Sequence, residues 1–236
     1  LIYINKINKS EMDQMDILRA LEHMPLFRGL PPGQKKILAV SAKEKNFPAG
    51  KMIILDSQEA KSLYVIVWGK VKIFKSSAEG KEQTIFIFGP GEPFCLTALT
   101  DEVSPASAMA LDDTKIIYFP AGILEKVVRE EPSILFNLLS LFSRRLKEVL
   151  TLVESISLKE LPQRLATFLA RSAILQKDGY VVELSFSHRE LSKIMGTTPE
   201  SLSRVFKKFA AQNILDVEGK IIIIRDYDAL MRIASE

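Results

Sequence analysis

The spacing of apolar positions along the chain changes twice, and each change marks a different kind of structure. Two helical stretches come first, over 16–23 and 33–42, joined by a segment rich in turn residues between Pro25 and Pro32. From about 47 to 119 the period shortens. The run 64–67 is apolar, and Lys70, Val71, Lys72, Ile73, Phe74 and Lys75 partly alternate charged with apolar side chains, as a half-buried strand does. Glu79-Gly80 supplies a turn, 83–88 a strand rich in Ile and Phe, and Gly89-Pro90-Gly91 a break. Further strands over 106–111 and 115–119 flank Asp112-Asp113. Strands recurring at about ten-residue intervals predict a small antiparallel barrel or sandwich.

The pattern then becomes helical for a long stretch. Pro132 suits a first helical turn, and neither Gly nor Pro recurs until Pro162. Leu135, Phe142, Val149 and Ile156 lie seven apart; Leu138 and Leu152 supply the second row of a seam that Arg145 interrupts. Leu139, Leu146 and Val153 widen the stripe. Such a repeat predicts a dimerising helix, with an interface of Leu135, Leu138, Phe142, Leu146, Val149, Leu152, Val153 and Ile156. The competing reading is a long amphipathic helix laid on its own β domain.

The third region opens with a helix over 161–175 and a strand over 180–184, and closes with a hairpin over 215–225 turning at Glu218-Gly219. Between them, 187–208 reads SHRELSKIMGTTPESLSRVFKK. Ser187 caps a helix and Glu190 completes a capping box; Leu191, Ile194 and Met195 form its apolar face. Gly196 permits the sharp turn, Thr198 caps a second helix and Pro199 opens it. Leu202, Val205, Phe206 and Phe209 make the buried stripe of that helix, which leaves Glu200, Ser201, Ser203, Arg204, Lys207 and Lys208 outside. This is a helix–turn–helix with its polar side chains placed to meet base edges, and the hairpin after it reads as a wing. Arg204 suits guanine, Glu200 suits a cytosine amine, and Ser203 is short enough for close approach. Ser187, Arg189, Thr197, Thr198, Lys207 and Lys208 fall where phosphates would lie, and His188 beside them is read as phosphate-proximal. An ordinary helical hairpin with a solvated face is the bland alternative.

Composition mostly excludes. Across 236 residues the net charge is only +3, so any nucleic-acid affinity must be local. A single cysteine, Cys95, rules out an internal disulfide and a four-cysteine iron–sulfur cluster, and two histidines rule out a three-histidine metal site. Asp112-Asp113 and Glu130-Glu131 read as solvated charge, so an enzyme is not expected. No apolar run is long enough to span a membrane, and the start of the chain, with Lys6 and Lys9, does not have a signal-peptide pattern; a cytoplasmic protein is expected, with Met12 and Met15 as plausible natural starts.

The order of a β roll, a long helix and a C-terminal winged helix–turn–helix resembles the Crp/Fnr superfamily of bacterial transcription regulators, an α+β architecture. Glu200-Ser201-Leu202-Ser203-Arg204 is similar to the E-x-x-S-R signature of its Fnr-type branch, which implies TTGA-like half-sites in a near-palindromic operator read by a homodimer. The expected division is a sensor domain over 1–131, a dimerisation helix over 132–158 and a DNA-binding domain over 159–236. RNA polymerase is implied as a partner if the protein activates. A regulatory module that binds a small organic ligand without touching DNA is the alternative.

The resemblance also places an effector in the β roll. Gly89-Pro90-Gly91-Glu92-Pro93-Phe94 is similar to the start of a cyclic-nucleotide cassette, and Gly91, Glu92, Phe94, Cys95, Ser104 and Ser107 are the candidate effector contacts. The cassette's phosphate-holding arginine is absent from 103–108, so cyclic AMP is not expected. The overall pattern is similar to the nitrosative-stress regulators, which implies haem with His23, Cys95, Met52 or Met109 as candidate ligands. Sensors of a halogenated aromatic compound or of 2-oxoglutarate stay open.

Overall fold

A computed structural model describes residues 12–59, 61–100, 103–176 and 179–235. Residues 1–11, assigned above to the sensor domain, and with them Lys6 and Lys9, lie outside the described residues. The chain divides into two compact units: the residues up to Lys75 with Ile85–Lys147, and Ser76–Thr84 with the residues from Glu148 onward.

The first unit is built on strands β1 (Lys43–Phe47), β2 (Met52–Ile54), β3 (Ser62–Trp68), β4 (Val71–Ser76), β5 (Glu82–Phe88), β6 (Pro93–Phe94), β7 (Ser107–Ala110) and β8 (Thr114–Pro120). They form two four-stranded sheets, ordered β1-β8-β3-β6 and β2-β7-β4-β5. The apolar run 64–67 lies in β3, which is buried on both faces and therefore shows no clean alternation. Ile66 joins Phe47, Ile54, Val71, Phe88, Phe94, Ala108 and Ile116 in a core drawn from both sheets. Leu63, Val65 and Val67 point the other way with Ile117 and Phe119, into a second core closed by helices.

Those helices are α1 (Gln14–His23), α2 (Pro32–Ser41), α3 (Ala121–Glu130) and the start of α4 (Ser133–Leu158). Asp13 caps α1 through a full capping box with Asp16. Between β3 and β4, Gly69 turns at φ +87°, and a Cβ there would sit 2.5 Å from Thr114 Oγ1 and 2.6 Å from the Asp113 carbonyl oxygen. Gly69→Ala therefore combines left-handed strain with overlap against backbone. It is expected to destabilise the protein by about 2–5 kcal/mol, visible as a lowered melting temperature.

The second unit contains the end of α4, then α5 (Leu161–Ser172), β9 (Ile174–Gln176), β10 (Gly179–Glu183), α6 (His188–Ile194), α7 (Pro199–Ala211), β11 (Leu215–Glu218), β12 (Ile221–Ile224) and α8 (Tyr227–Ser235). The sheet order is β11-β12-β10-β9, all antiparallel. The helix expected over 161–175 stops at Ser172; Ala173 is extended and Ile174 and Leu175 enter β9 instead. Leu165, Leu169, Leu191, Leu202, Phe209 and Leu215 share one core. The architecture is α+β: a β roll, a long helix and a winged helix–turn–helix.

Candidate nucleic-acid interface

Local chemistry builds the helix–turn–helix. The Ser187 hydroxyl accepts from the Glu190 N–H at 3.1 Å and starts α6. Gly196 turns the chain at φ +63°. The Thr198 hydroxyl then accepts from the Ser201 N–H at 3.2 Å, with Pro199 opening α7. Leu202, Val205, Phe206 and Phe209 are buried, whereas Glu200, Ser203, Arg204, Lys207 and Lys208 are exposed and Ser201 and Thr197 half-buried. Ser187, Arg189 and Thr198 are exposed as well. Of the outward row predicted from spacing, Ser201 alone is half-buried, with its hydroxyl against that of Thr198.

Glu200 stands one turn before Arg204. Its own backbone amide and the Thr198 hydroxyl, with Arg204 adding attraction, hold its carboxyl below the usual range. At neutral pH it is an acceptor, the form a cytosine amine requires.

Two side chains behave differently from expectation. Glu190 is buried, and its carboxylate accepts from the Thr84 hydroxyl at 2.5 Å, on a hairpin tip that belongs to the same unit. Lys193 reaches Glu82 on that tip at 2.5 Å. Thus only the Ser187 half of the capping box forms, because the Glu190 carboxylate has a tertiary partner. His188 is not held out toward phosphate. Its ring stacks on Phe206, with centroids 5.3 Å apart and planes at 19°, and its buried Nε2 has no hydrogen-bond partner. A groove of about 570 Å³ lies there between α7 and the wing, and Asp216 and Glu218 make its wing side acidic.

Along α4 the two adjacent apolar rows differ in exposure. Leu138 is only 6% exposed, in the helix-closed core, and Leu152 is half-buried. Leu138 is thereby taken up by the core of its own chain, whereas Leu152 is buried to the same degree as Val149. Leu139 at 62% and Leu146 at 61% stay exposed, with Leu135, Phe142, Val153 and Ile156. Leu135, Leu139, Phe142, Leu146, Val149, Val153 and Ile156 alternate steps of four and three, the a/d rhythm of a coiled-coil seam. Arg145 leaves the seam altogether. It donates to the Pro93 carbonyl, and its guanidinium lies 4.0 Å from the centre of the Phe88 ring.

That arginine meets the cassette. The Glu92 carboxylate accepts from the Gly89 N–H at 2.9 Å, Gly91 turns at φ +84°, and Phe94 stacks on Tyr64 at 5.2 Å. Cys95 is left-handed and half-buried; burial pushes its thiol up to about 11, against a smaller opposing pull from Thr97. Ser104 donates to the Ala106 carbonyl and Ser107 accepts from the Asp56 N–H, so both hydroxyls serve backbone. The structure gathers Gly91–Cys95 beside Arg145, a residue that sequence reasoning assigned to the seam.

Of the haem candidates only Met52 and Met109 come together. His23 is exposed, with Nδ1 against the Arg19 carbonyl at 2.8 Å. Cys95 follows β6 in a left-handed turn and packs against the core shared by the two sheets. Met52 and Met109 are cross-strand partners on β2 and β7. These donors do not fit a haem site.

The fold and the exposed α7 row define a DNA-binding regulator with a cyclic-nucleotide-binding type of sensor. Comparison with known proteins agrees: residues 44–131 match the cyclic nucleotide-binding domain family and 163–233 the Crp-like helix-turn-helix domain family. The chain is 30% identical over 211 residues to the Cyclic AMP receptor protein of Thermus thermophilus, covering 89% of this chain and 96% of that one. It is 25% identical to the Fumarate and nitrate reduction regulatory protein of Vibrio cholerae, over 97% of this chain and 84% of the relative. A CooA mutant from Carboxydothermus hydrogenoformans has the same fold, with a TM-score of 0.76 at 21% identity over 95% and 97% of the two chains. This chain belongs to the Crp/Fnr superfamily of transcription regulators, whose members are DNA-binding dimers rather than enzymes. Among the described residues no helix is long and apolar enough to cross a membrane.

Proposed function

We propose that this protein is a cytoplasmic, effector-responsive regulator that binds, as a homodimer, a near-palindromic operator with TTGA-like half-sites. The observation that carries this is the exposed α7 row, in which an ionised Glu200 and Arg204 stand one turn apart beside Ser203. Arg204 donates to guanine, Glu200 accepts from cytosine, and Lys207, Lys208, Arg189, Ser187, Thr197 and Thr198 hold phosphates. Twofold symmetry along the α4 seam sets two α7 helices about 34 Å apart, one turn of DNA.

The effector acts through the first unit and shifts the population of dimers competent for that spacing. Cyclic AMP is not that effector. Glu92 is engaged by Gly89, no arginine occurs over 103–108, and the Ser104 and Ser107 hydroxyls serve backbone groups. Nor is haem, since exposed His23 turns a ring nitrogen to its own helix and the other candidates pair only as two methionines across a strand ladder. A small organic acid suits the cassette better, with Arg145 as its positive charge.

The phosphate and base roles separate by salt. Lys207→Ala should weaken binding to specific and scrambled duplexes alike and reduce the salt slope by about two units per dimer, one contact from each protomer. An unchanged slope removes Lys207 from the interface. Cyclic AMP added to the same titration should leave affinity unchanged, and a marked gain would overturn the effector reading.

A further inference from the structure

Within the second unit, a cavity of about 200 Å³ lies between the end of α4, helix α5 and the end of α6. Leu152, Phe168, Ile194 and Met195 give it an apolar wall, against which polar and charged side chains are set, and nothing in DNA recognition uses it. Lys159, Arg164 and Arg171 face it, with Thr151, Ser155 and Thr167. Lys159 donates to the Thr167 hydroxyl at 3.0 Å and the Ala234 carbonyl at 2.9 Å, both neutral acceptors. Arg164 donates one N–H to the Lys159 carbonyl at 3.0 Å, while its buried Nε has no hydrogen-bond partner. A buried guanidinium N–H without an acceptor is costly unless something supplies one. Glu148 and Glu154 also line the cavity, but both are exposed, whereas Lys159 and Arg164 are half-buried. The less solvated side of the cavity is therefore cationic.

We propose that this cavity is a binding site for a small, multiply charged oxyanion, a phosphate or a short dicarboxylate, held by Arg164 with Lys159 and Arg171. Size narrows the class. Pockets for drug-sized ligands and cofactors run to about 300–1,000 Å³, so this one is too small for a nucleotide. The bound anion gives Arg164 Nε its acceptor and a charge-assisted bond. It also ties α4 to α5 across the break in helix between Leu158 and Leu161, the junction between the long helix and the DNA-binding domain. An anion that stiffens this junction is a second input to DNA binding, separate from any effector in the β roll.

Isothermal titration of the full chain without DNA tests the site, using inorganic phosphate and succinate separately at constant ionic strength set by chloride. Saturable binding of either ion, one per chain, is expected, and the ion that binds names the source. Arg164→Gln should weaken it by about 10- to 100-fold, and Lys126→Gln, at an exposed side chain of α3, should leave it unchanged. If Arg164→Gln fails to fold by circular dichroism, the exposed Arg171→Gln carries the same comparison and should also weaken binding. Saturation by neither ion, or equal saturation with and without the arginine, overturns the proposal. So does an Arg164→Gln protein that keeps its anion affinity but shows a flatter salt slope on DNA, because the arginine then serves the DNA backbone.

Discussion

Arg204→Ala should abolish discrimination at one base position of each half-site and cost about 1–3 kcal/mol per half-site. A symmetric dimer carries the substitution twice. The loss on a palindromic duplex is then about 2–6 kcal/mol, roughly 30-fold to 10⁴-fold in affinity. Arg204 is exposed and its helix is anchored by Leu202, Val205, Phe206 and Phe209 on the opposite side, so the fold should be untouched. Fluorescence anisotropy on a panel of operators, each with one base pair changed, reads the effect. The variant should bind all members of the panel that differ at its position equally weakly. A uniform loss at every position would instead make Arg204 a phosphate contact.

Leu146→Glu should separate the dimer while leaving the monomer folded. Leu146 is exposed in the single chain and sits between Phe142 and Val149 in the proposed seam, where a partner would bury it. Fully burying a leucine contributes about 1.5–3 kcal/mol, and symmetry doubles it to about 3–6 kcal/mol. The dimer dissociation constant should therefore rise roughly 100-fold or more, as read by analytical ultracentrifugation over a concentration series. Leu138→Glu is the contrasting variant. Leu138 packs in the core of its own chain, so that change should lower the melting temperature. Dissociation by Leu138→Glu with an unchanged melting temperature, and none by Leu146→Glu, would put the seam on the other row.

The parts of this molecule that were readable in its sequence are those decided by neighbours in the chain. Ser187, Gly196, Thr198 and Pro199 each act within a few residues, so the helix–turn–helix and its outward row follow from local chemistry. The β roll was readable for the same reason, through Gly-Pro-Gly breaks and alternation. What depended on tertiary partners was not. Rows 138/145/152 and 139/146/153 of α4 are both largely apolar, and only packing against the core decides which turns outward. Arg145 was the one signal available, since a charge inside an apolar row implies a partner, here the Phe88 ring and the Pro93 carbonyl. Glu190 satisfies the capping-box pattern, yet a buried hydroxyl from Thr84 recruits its carboxylate. Helix α3 escaped notice between Pro120 and Pro132, although Leu124 and Val127 give it a buried face. Arg164 carried no sequence signal at all, because its buried Nε is a property of the folded cavity.

The effector cassette shows a different limit. Its glycines and Glu92 keep the backbone turn that the sequence predicts, and the partners of Glu92, Ser104 and Ser107 within the chain became visible only in the fold.

The most direct test of the account is binding of the purified full chain to a labelled duplex bearing two inverted TTGA half-sites one helical turn apart. The same titration is run on a duplex with one half-site scrambled and on one with half a turn inserted between them. The account predicts that the intact palindrome is bound at least about 10³-fold more tightly than a scrambled sequence, with most of that preference lost in both altered duplexes. Equal affinity for all three duplexes would contradict it, and would make the exposed row of α7 a solvated helix face.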